Sequence, residues 1–274
     1  MYSRIVFFLL KKIQRSETDI PSMAVYSREF VSRFIISYGF YERHYIRELF
    51  KFLERKNVLT HEKTCLDIGA NIGNHSVRFS QIFRQVYAFE PHPRNYLLLK
   101  ANSMLRSNIN TIETALGSRH SRANMSFNME NMGQSSIAKR VGDYNIEVEI
   151  DTLDNFVHKH DIDDIALIKL DVEGHEEDVL KGAFETLNNQ KPIVVMECLP
   201  DDIVNGSSSS IKMLQSMGYR SFYSIEEAKK NWLQAKFNRL FRSIDNNKME
   251  TIDITSYIDS LHNKEYPMII CVCD

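Results

Sequence analysis

Residues 169–176, KLDVEGHE, set Lys169, Asp171, Glu173, His175 and Glu176 directly behind the apolar run IALI at 165–168. Carboxylates and an imidazole gathered at one point can take a proton from a reacting hydroxyl or hold a cation. Strand alternation puts Lys169, Asp171 and, while the chain stays extended, Glu173 on one side. Gly174 permits a turn. HEEDVL then opens a helix whose acidic first turn, Glu176 and Glu177, complements the helix dipole. The next apolar run, PIVVME, closes on another acid, Glu197. His175 is the first candidate for a general base or else a helix cap, and Asp171 and Glu197 follow it. Lys169 is either a buried partner for one of the acids or a substrate contact. Ligands of open α/β sheets bind beyond the carboxyl ends of the strands, so Asp171 is expected at the rim of a crevice.

A second constellation lies upstream. TCLDI (64–68) runs into GANIGNHS (69–76), and Phe79, Ile82 and Phe83 follow at helical spacing. The pattern Asp67-x-Gly69-x-x-x-Gly73 at a strand-to-helix turn suits a nucleotide-type ligand, since side chains there would obstruct its approach or the turn. About 20 residues further on, directly after the second strand, Glu90 can accept both hydroxyls of an adenosine ribose. A nicotinamide dinucleotide wants a middle glycine where this chain has Asn71. An acid such as Asp67 would repel a pyrophosphate yet suit the ammonium and sulfonium of S-adenosyl-L-methionine. The expected cofactor contacts are therefore Asp67, Gly69, Ala70, Asn71, Gly73 and Asn74, with Glu90 and Pro91 after the second strand. Ala115 and Leu116 after the third strand and Asp171 after the fourth complete the set. No metal ligands are assigned.

These residues need a scaffold. Phe30, Val31, Phe34 and Ile35, and then Tyr45, Ile46, Leu49, Phe50 and Leu53, recur at helical spacing. From residue 64 short apolar runs alternate with helical segments: TCLDI, QVYAF (85–89), NTIET (110–114), DIALIKL (164–170) and PIVVME (192–197). Between them Leu97, Ala101, Met104 and Leu105 share one helix face, as do Val179, Leu180, Ala183, Phe184 and Leu187. This alternation argues for an α/β, mostly parallel, doubly wound sheet covered on both faces. Residues 118–150 depart from it, since NMSFNM and IEVEI alternate as half-exposed strands in a β excursion. NGSSSS (205–210) reads as a flexible loop before a helix. YRSFYS and PMIICVCD read as strands separated by helix-leaning sequence around Trp232 and Phe241, with a closing antiparallel strand at the end. The expected organisation is a helical extension over 1–60 and one domain over 61–274, in which 201–274 holds a helical insertion and the terminal strands.

Composition narrows the class. The chain has 274 residues, 43% hydrophobic and 26% charged, with a net charge of −2, so it lacks the basic field of a nucleic-acid binder. Cys65, Cys198, Cys271 and Cys273 have neither zinc nor disulfide-framework spacing and read as reduced thiols of a cytoplasmic protein. The apolar segment Ile5 to Leu10 is far short of the roughly 20 residues of a spanning helix and reads as a short helix packed on the domain, with peripheral membrane contact as the alternative. The aromatic-rich N-terminal helices could pair two copies into a homodimer.

In order along the chain, LDIGANIGNHS, AFEPHPRN, TLDNF, IKLDVEGHEEDVLKGA and KPIVVMECLP resemble the FkbM-type methyltransferase family over roughly residues 60–200. The D-V-E-G-x-E element after the fourth strand is the most specific part of that likeness. The resemblance implies a Rossmann-like class I fold and methyl transfer from S-adenosyl-L-methionine to a hydroxyl of a small molecule or glycan acceptor, such as a sugar of a surface glycan or a secondary metabolite. The alternatives are a metal-assisted O-methyltransferase of another small molecule and a nicotinamide-dependent oxidoreductase of the same architecture.

Overall fold

The computed structural model describes residues 22–27, 29–58, 61–128, 131–138, 142–227, 252–257 and 260–273. The apolar segment Ile5 to Leu10 and the stretch around Trp232 and Phe241 lie outside these. Five strands appear where the apolar runs place them: β1 Thr64–Ile68, β2 Gln85–Phe89, β3 Ile109–Ile112, β8 Ile165–Leu170 and β9 Ile193–Cys198. All five are parallel neighbours, in the order β9-β8-β1-β2-β3. β12 Tyr266–Val272 adds to β9 antiparallel, followed by β10 Ser221–Glu227 and then β11 Ile252–Tyr257 at the edge. The closing antiparallel strand is thus present. β11, by contrast, stands where helix was expected: its β-branched Ile252, Ile254 and Thr255 suit a strand, and it pairs antiparallel with β10.

Helices cover both faces of this Rossmann-like sheet. On one face α2 Arg43–Arg55, α3 Asn74–Phe79 and α4 Pro93–Ser103 pack with Leu49, Phe79, Phe83, Val86 and Ile270 in one core. On the other, α5 Leu153–Lys159, α6 Glu176–Lys181, α7 Phe184–Gln190 and α8 Ser209–Ser216 enclose Leu66, Ile168, Leu153, Leu180 and Leu214. α1 Phe30–Tyr38 precedes α2. Among the described residues no helix is long and apolar enough to cross a membrane. All four cysteines are free thiols, three of them buried.

The β excursion forms its own four-stranded sheet: β4 Ala115–Leu116, β7 Tyr144–Asp151, β5 Ser121–Asn128 and β6 Asn131–Ser136 in that spatial order. Two helix faces differ from their hydrophobic pattern. Leu97, Ala101, Met104 and Leu105 face solvent on and just beyond α4, and the helix buries Asn95, Leu99 and Asn102 instead. The asparagines go inside because polar groups need partners there: Asn95 meets the Tyr26 hydroxyl and Glu90, and Asn102 serves loop backbone. Asn102 donates to the carbonyls of Ile72 (2.7 Å) and Ala24 (3.0 Å) and accepts from the Ala24 N–H (2.6 Å). The run 176–190 is two helices broken at Gly182, where any side chain would strike the Gly117 carbonyl. The break turns Phe184 outward, 55% exposed.

At the end of β1 the chain passes so close to the end of β8 that a Cβ on Gly69 would lie 1.8 Å from the Asp171 carbonyl oxygen. Gly69 also has φ +79°, a region that side chains resist. Gly69→Ala therefore destabilises the fold by at least about 2 kcal/mol in urea unfolding. An unfolding midpoint equal to that of the wild type refutes this account of the turn.

Candidate active site

A cavity of about 370 Å³ opens at the carboxyl ends of β1, β2, β8 and β9. Its wall takes Gly69, Ala70, Asn71 and Asn74 from the loop after β1, and Glu90 and Pro91 from the end of β2. β4 contributes Ala115 and Leu116. The end of β8 contributes Lys169, Asp171, Glu173 and His175, and β9 contributes Glu197. The structure thus brings together most of the residues that the sequence singled out. Asp67 and Gly73 are not on this wall. Asp67 is fully buried beneath it, and a Cβ on Gly73 would meet Leu99 Cδ1 at 2.9 Å, so that glycine admits α4 rather than a ligand.

Asp67 belongs instead to a buried ionic array. Ser76 Oγ donates to its Oδ2 at 2.5 Å, while Oδ1 has no hydrogen bond and lies 3.8 Å from Lys169 Nζ. Lys169, 4% exposed, donates to Asp171 Oδ2 at 2.9 Å. Burial disfavours the ammonium, yet Asp171 and Asp67 outweigh that and raise the Lys169 pKa above its ordinary value. Burial likewise works against ionising Asp171, but the Lys169 ammonium prevails and holds the carboxyl below the usual range. Asp171 keeps 37% of its side chain exposed, so an ionised acid faces the cavity.

Glu90 is fixed before any ligand arrives. Its Oε2 accepts from the Asn71 N–H and its Oε1 from the His92 N–H, both at 2.9 Å. Burial nevertheless pushes its pKa up to about 7 against these hydrogen bonds.

Glu197 is more perturbed: burial first, then the fields of Asp171, Glu173, Glu42 and Glu265, raise it to about 9. Glu173 sits in the left-handed region at φ 53°, with Gly174 following at φ 92°. Its carbonyl accepts from Ser136 Oγ of the small sheet at 2.8 Å. Glu176 closes this turn, accepting the N–H groups of Gly174 (3.1 Å) and Val172 (3.4 Å), which gives it a local duty beyond the helix dipole.

His175, the first candidate base, is placed apart from these acids electrostatically. Its Nδ1 lies 3.6 Å from Asp178 Oδ2, and its buried Nε2 stands against Gly117 without a hydrogen-bond partner. Burial, only partly offset by Asp178, lowers its pKa. Four further ionisable residues on the wall escaped the sequence reading: Tyr41, Glu42, His75 and Glu265. His75 Nε2 is 3.1 Å from Glu42 Oε2, off the line of a hydrogen bond. Burial and the nearby acids Glu42, Asp171, Glu197 and Glu265 raise the Tyr41 pKa. Only the GNHS motif gave any hint of His75, while Tyr41, Glu42 and Glu265 arrive from distant segments with no motif. Among the described residues no three His, Cys, Asp or Glu side chains form a metal-holding group.

The raised acids set a sign for pH dependence. Between its ordinary pKa of 4.5 and the folded value of about 9, Glu197 keeps a proton that the unfolded chain has released, so rising pH destabilises the fold across that window. Glu197→Gln removes this contribution. Its unfolding free energy gains on the wild type from pH 5 to 9, by on the order of a few kcal/mol at the upper end. Parallel curves for the two proteins in ligand-free chemical denaturation contradict the assignment.

Comparisons with known proteins show what the chain resembles. Hexuronic acid methyltransferase AglP of Haloferax volcanii is 29% identical over 154 residues, 56% of this chain and 61% of that protein. The 2-O-methyltransferase NoeI of Sinorhizobium fredii is 27% identical over 163 residues, 53% of this chain and 65% of that protein. The match thus spans less than two thirds of each relative. Among solved structures, methyltransferase FkbM from Methylobacillus flagellatus KT aligns at 16% identity and TM-score 0.42, over 81% of this chain and 56% of that one. Residues 67–221 match the methyltransferase FkbM domain, more than half of the chain, and the chain belongs to that family.

Proposed function

We propose that this protein transfers a methyl group from S-adenosyl-L-methionine to a hydroxyl of a neutral sugar, free or within a glycan. The observation that carries the reading is a cavity at the strand ends whose ionised Asp171 and preset Glu90 stand where a cationic adenosine ligand needs them. The residues fit the group. Glu90 offers a carboxylate aligned by two backbone N–H groups for the ribose hydroxyls, and Ala115 and Leu116 offer an apolar wall for the adenine. Asp171 offers a negative charge for the ammonium or sulfonium. A dinucleotide is disfavoured, because Asn71 stands where a pyrophosphate needs a glycine.

When bound, the cofactor supplies a methyl carbon on a sulfonium, a good leaving group. The chain's task is then to hold an acceptor oxygen in line and to receive its proton. Glu197 is our candidate for the proton acceptor, in preference to His175, because it feels the field of Asp171 directly, whereas His175 answers to Asp178 and Lys181. Protonated in the ligand-free protein, it becomes easier to ionise once a positive charge enters the cavity. The sugar acceptor class rests on the relative whose name speaks of hexuronic acid, and the hydroxyl as methyl acceptor on the one named for 2-O-methylation. Here the wall is rich in carboxylates, which accept hydroxyl protons well and repel an anionic sugar, so the acceptor is neutral.

Calorimetry with S-adenosylhomocysteine and labelled-methyl transfer onto cell glycans and lipid-linked sugars test the reading. Asp171→Asn is expected to weaken adenosylmethionine binding at least about tenfold, by loss of one charge contact. Glu197→Gln is expected to retain binding while kcat falls roughly 10²- to 10⁴-fold. No heat with either form of the cofactor, or full turnover in both variants, overturns it.

A further inference from the structure

Helix α1 has two unlike faces. Ser32 and Ile35 are buried, whereas Phe30, Phe34 and Tyr38, one helical turn apart, are 50%, 38% and 45% exposed. Successive ring centroids are 5.0 and 5.9 Å apart, with planes tilted by 55° and 38°. Tyr41 completes the row, 5.6 Å from Phe34 and 6.1 Å from Phe30. Three large rings aligned in water on one helix mark a binding surface more often than chance exposure.

What occupies it follows from where the row leads. Phe30 and Tyr41 also line the cavity, so the aromatic face is continuous with the carboxylate-rich wall that holds Asp171 and Glu197. One path thus offers flat apolar rings first and hydroxyl acceptors after. A pyranose has that double character, with C–H groups across one face and hydroxyls around its edge. An acyl or prenyl chain would use the rings but leave the adjoining acids unanswered.

We propose that the Phe30, Phe34 and Tyr38 face seats the second and third sugars of an oligosaccharide acceptor, while its terminal ring enters the cavity past Tyr41. This inference rests on the methyl-transfer reading and adds that the acceptor is a chain rather than a single sugar. Phe34 and Tyr38 then select for acceptor length.

The test is a titration of the full chain, saturated with S-adenosylhomocysteine, against neutral mono- to tetrasaccharides of several defined linkages. In at least one linkage series the wild type gains about tenfold in affinity from mono- to trisaccharide, the size of one good aromatic contact. Phe34→Ala with Tyr38→Ala cuts that gain below twofold without altering S-adenosylhomocysteine affinity. Leu97→Ala with Met104→Ala, exposed apolar positions on and beside α4, keeps it. A gain that is absent in every series, or that survives in the α1 variant, overturns the proposal. So does finding that Phe34 and Tyr38 instead pair two copies in sedimentation, or bind phosphatidylcholine–phosphatidylglycerol vesicles. If the wild type fails to bind S-adenosylhomocysteine, the methyl-transfer reading falls and this one with it. If it binds that ligand but shows no length dependence, this one falls alone.

Discussion

Lys169 carries its charge where water cannot reach it, and two carboxylates make that position tenable. Asp67 faces it across the β1–β8 pairing, and Asp171 follows two residues on, just past the end of β8. Removing either acid would leave a buried cation short of a partner, one of the more costly changes a core can suffer. The same arrangement decides the chemistry of the cavity, because the ammonium holds Asp171 ionised at its rim. Glu197, one strand away and without such a cation, is driven to the opposite state by burial and by Asp171 itself. Two acids of one cavity thus differ in protonation for reasons of placement alone.

Backbone geometry does as much as charge. Gly69 lets the end of β1 come against the end of β8, which brings the loop carrying Asn71 beside the segment carrying Asp171. Beyond Asp171 the chain turns through two left-handed residues, Glu173 and Gly174, and the turn is held from two directions. Glu176 ties it from its own helix, and Ser136 ties it from the small sheet inserted after β3. That insertion is therefore part of the site's support and not an ornament on the fold.

The segments before β1 complete the enclosure. Residues 22–26 anchor on α4 through Ala24 with Asn102 and Tyr26 with Asn95, and Asn95 in turn reaches Glu90 at 3.5 Å. Tyr41 and Glu42, between α1 and α2, then form one side of the cavity, and Tyr41 is fastened to Asn74 by a reciprocal pair of 3.1 Å hydrogen bonds. The walls of the cavity consequently come from different parts of the chain, joined by asparagines that the hydrophobic pattern does not reveal.

The alternation of apolar runs determined the five parallel strands and their helices, because burial on both faces demands that pattern locally. The motifs GANIGNHS and KLDVEGHE, and the acids ending β2 and β9, located most of the cavity wall, since strand ends in this architecture must converge. Three matters were left to tertiary structure. Asp67 turned inward because Lys169 needed a second counter-charge, a demand visible only once β1 and β8 are neighbours. The inner face of α4 became polar because the carbonyls of Ala24 and Ile72 take donors from Asn102, and Tyr26 and Glu90 pair with Asn95. Tyr41, Glu42 and Glu265 joined the wall across long sequence separations, and the protonation states of the acids followed from that proximity. Charge interaction and hydrogen-bond satisfaction depend on distance in space, which no local spacing encodes.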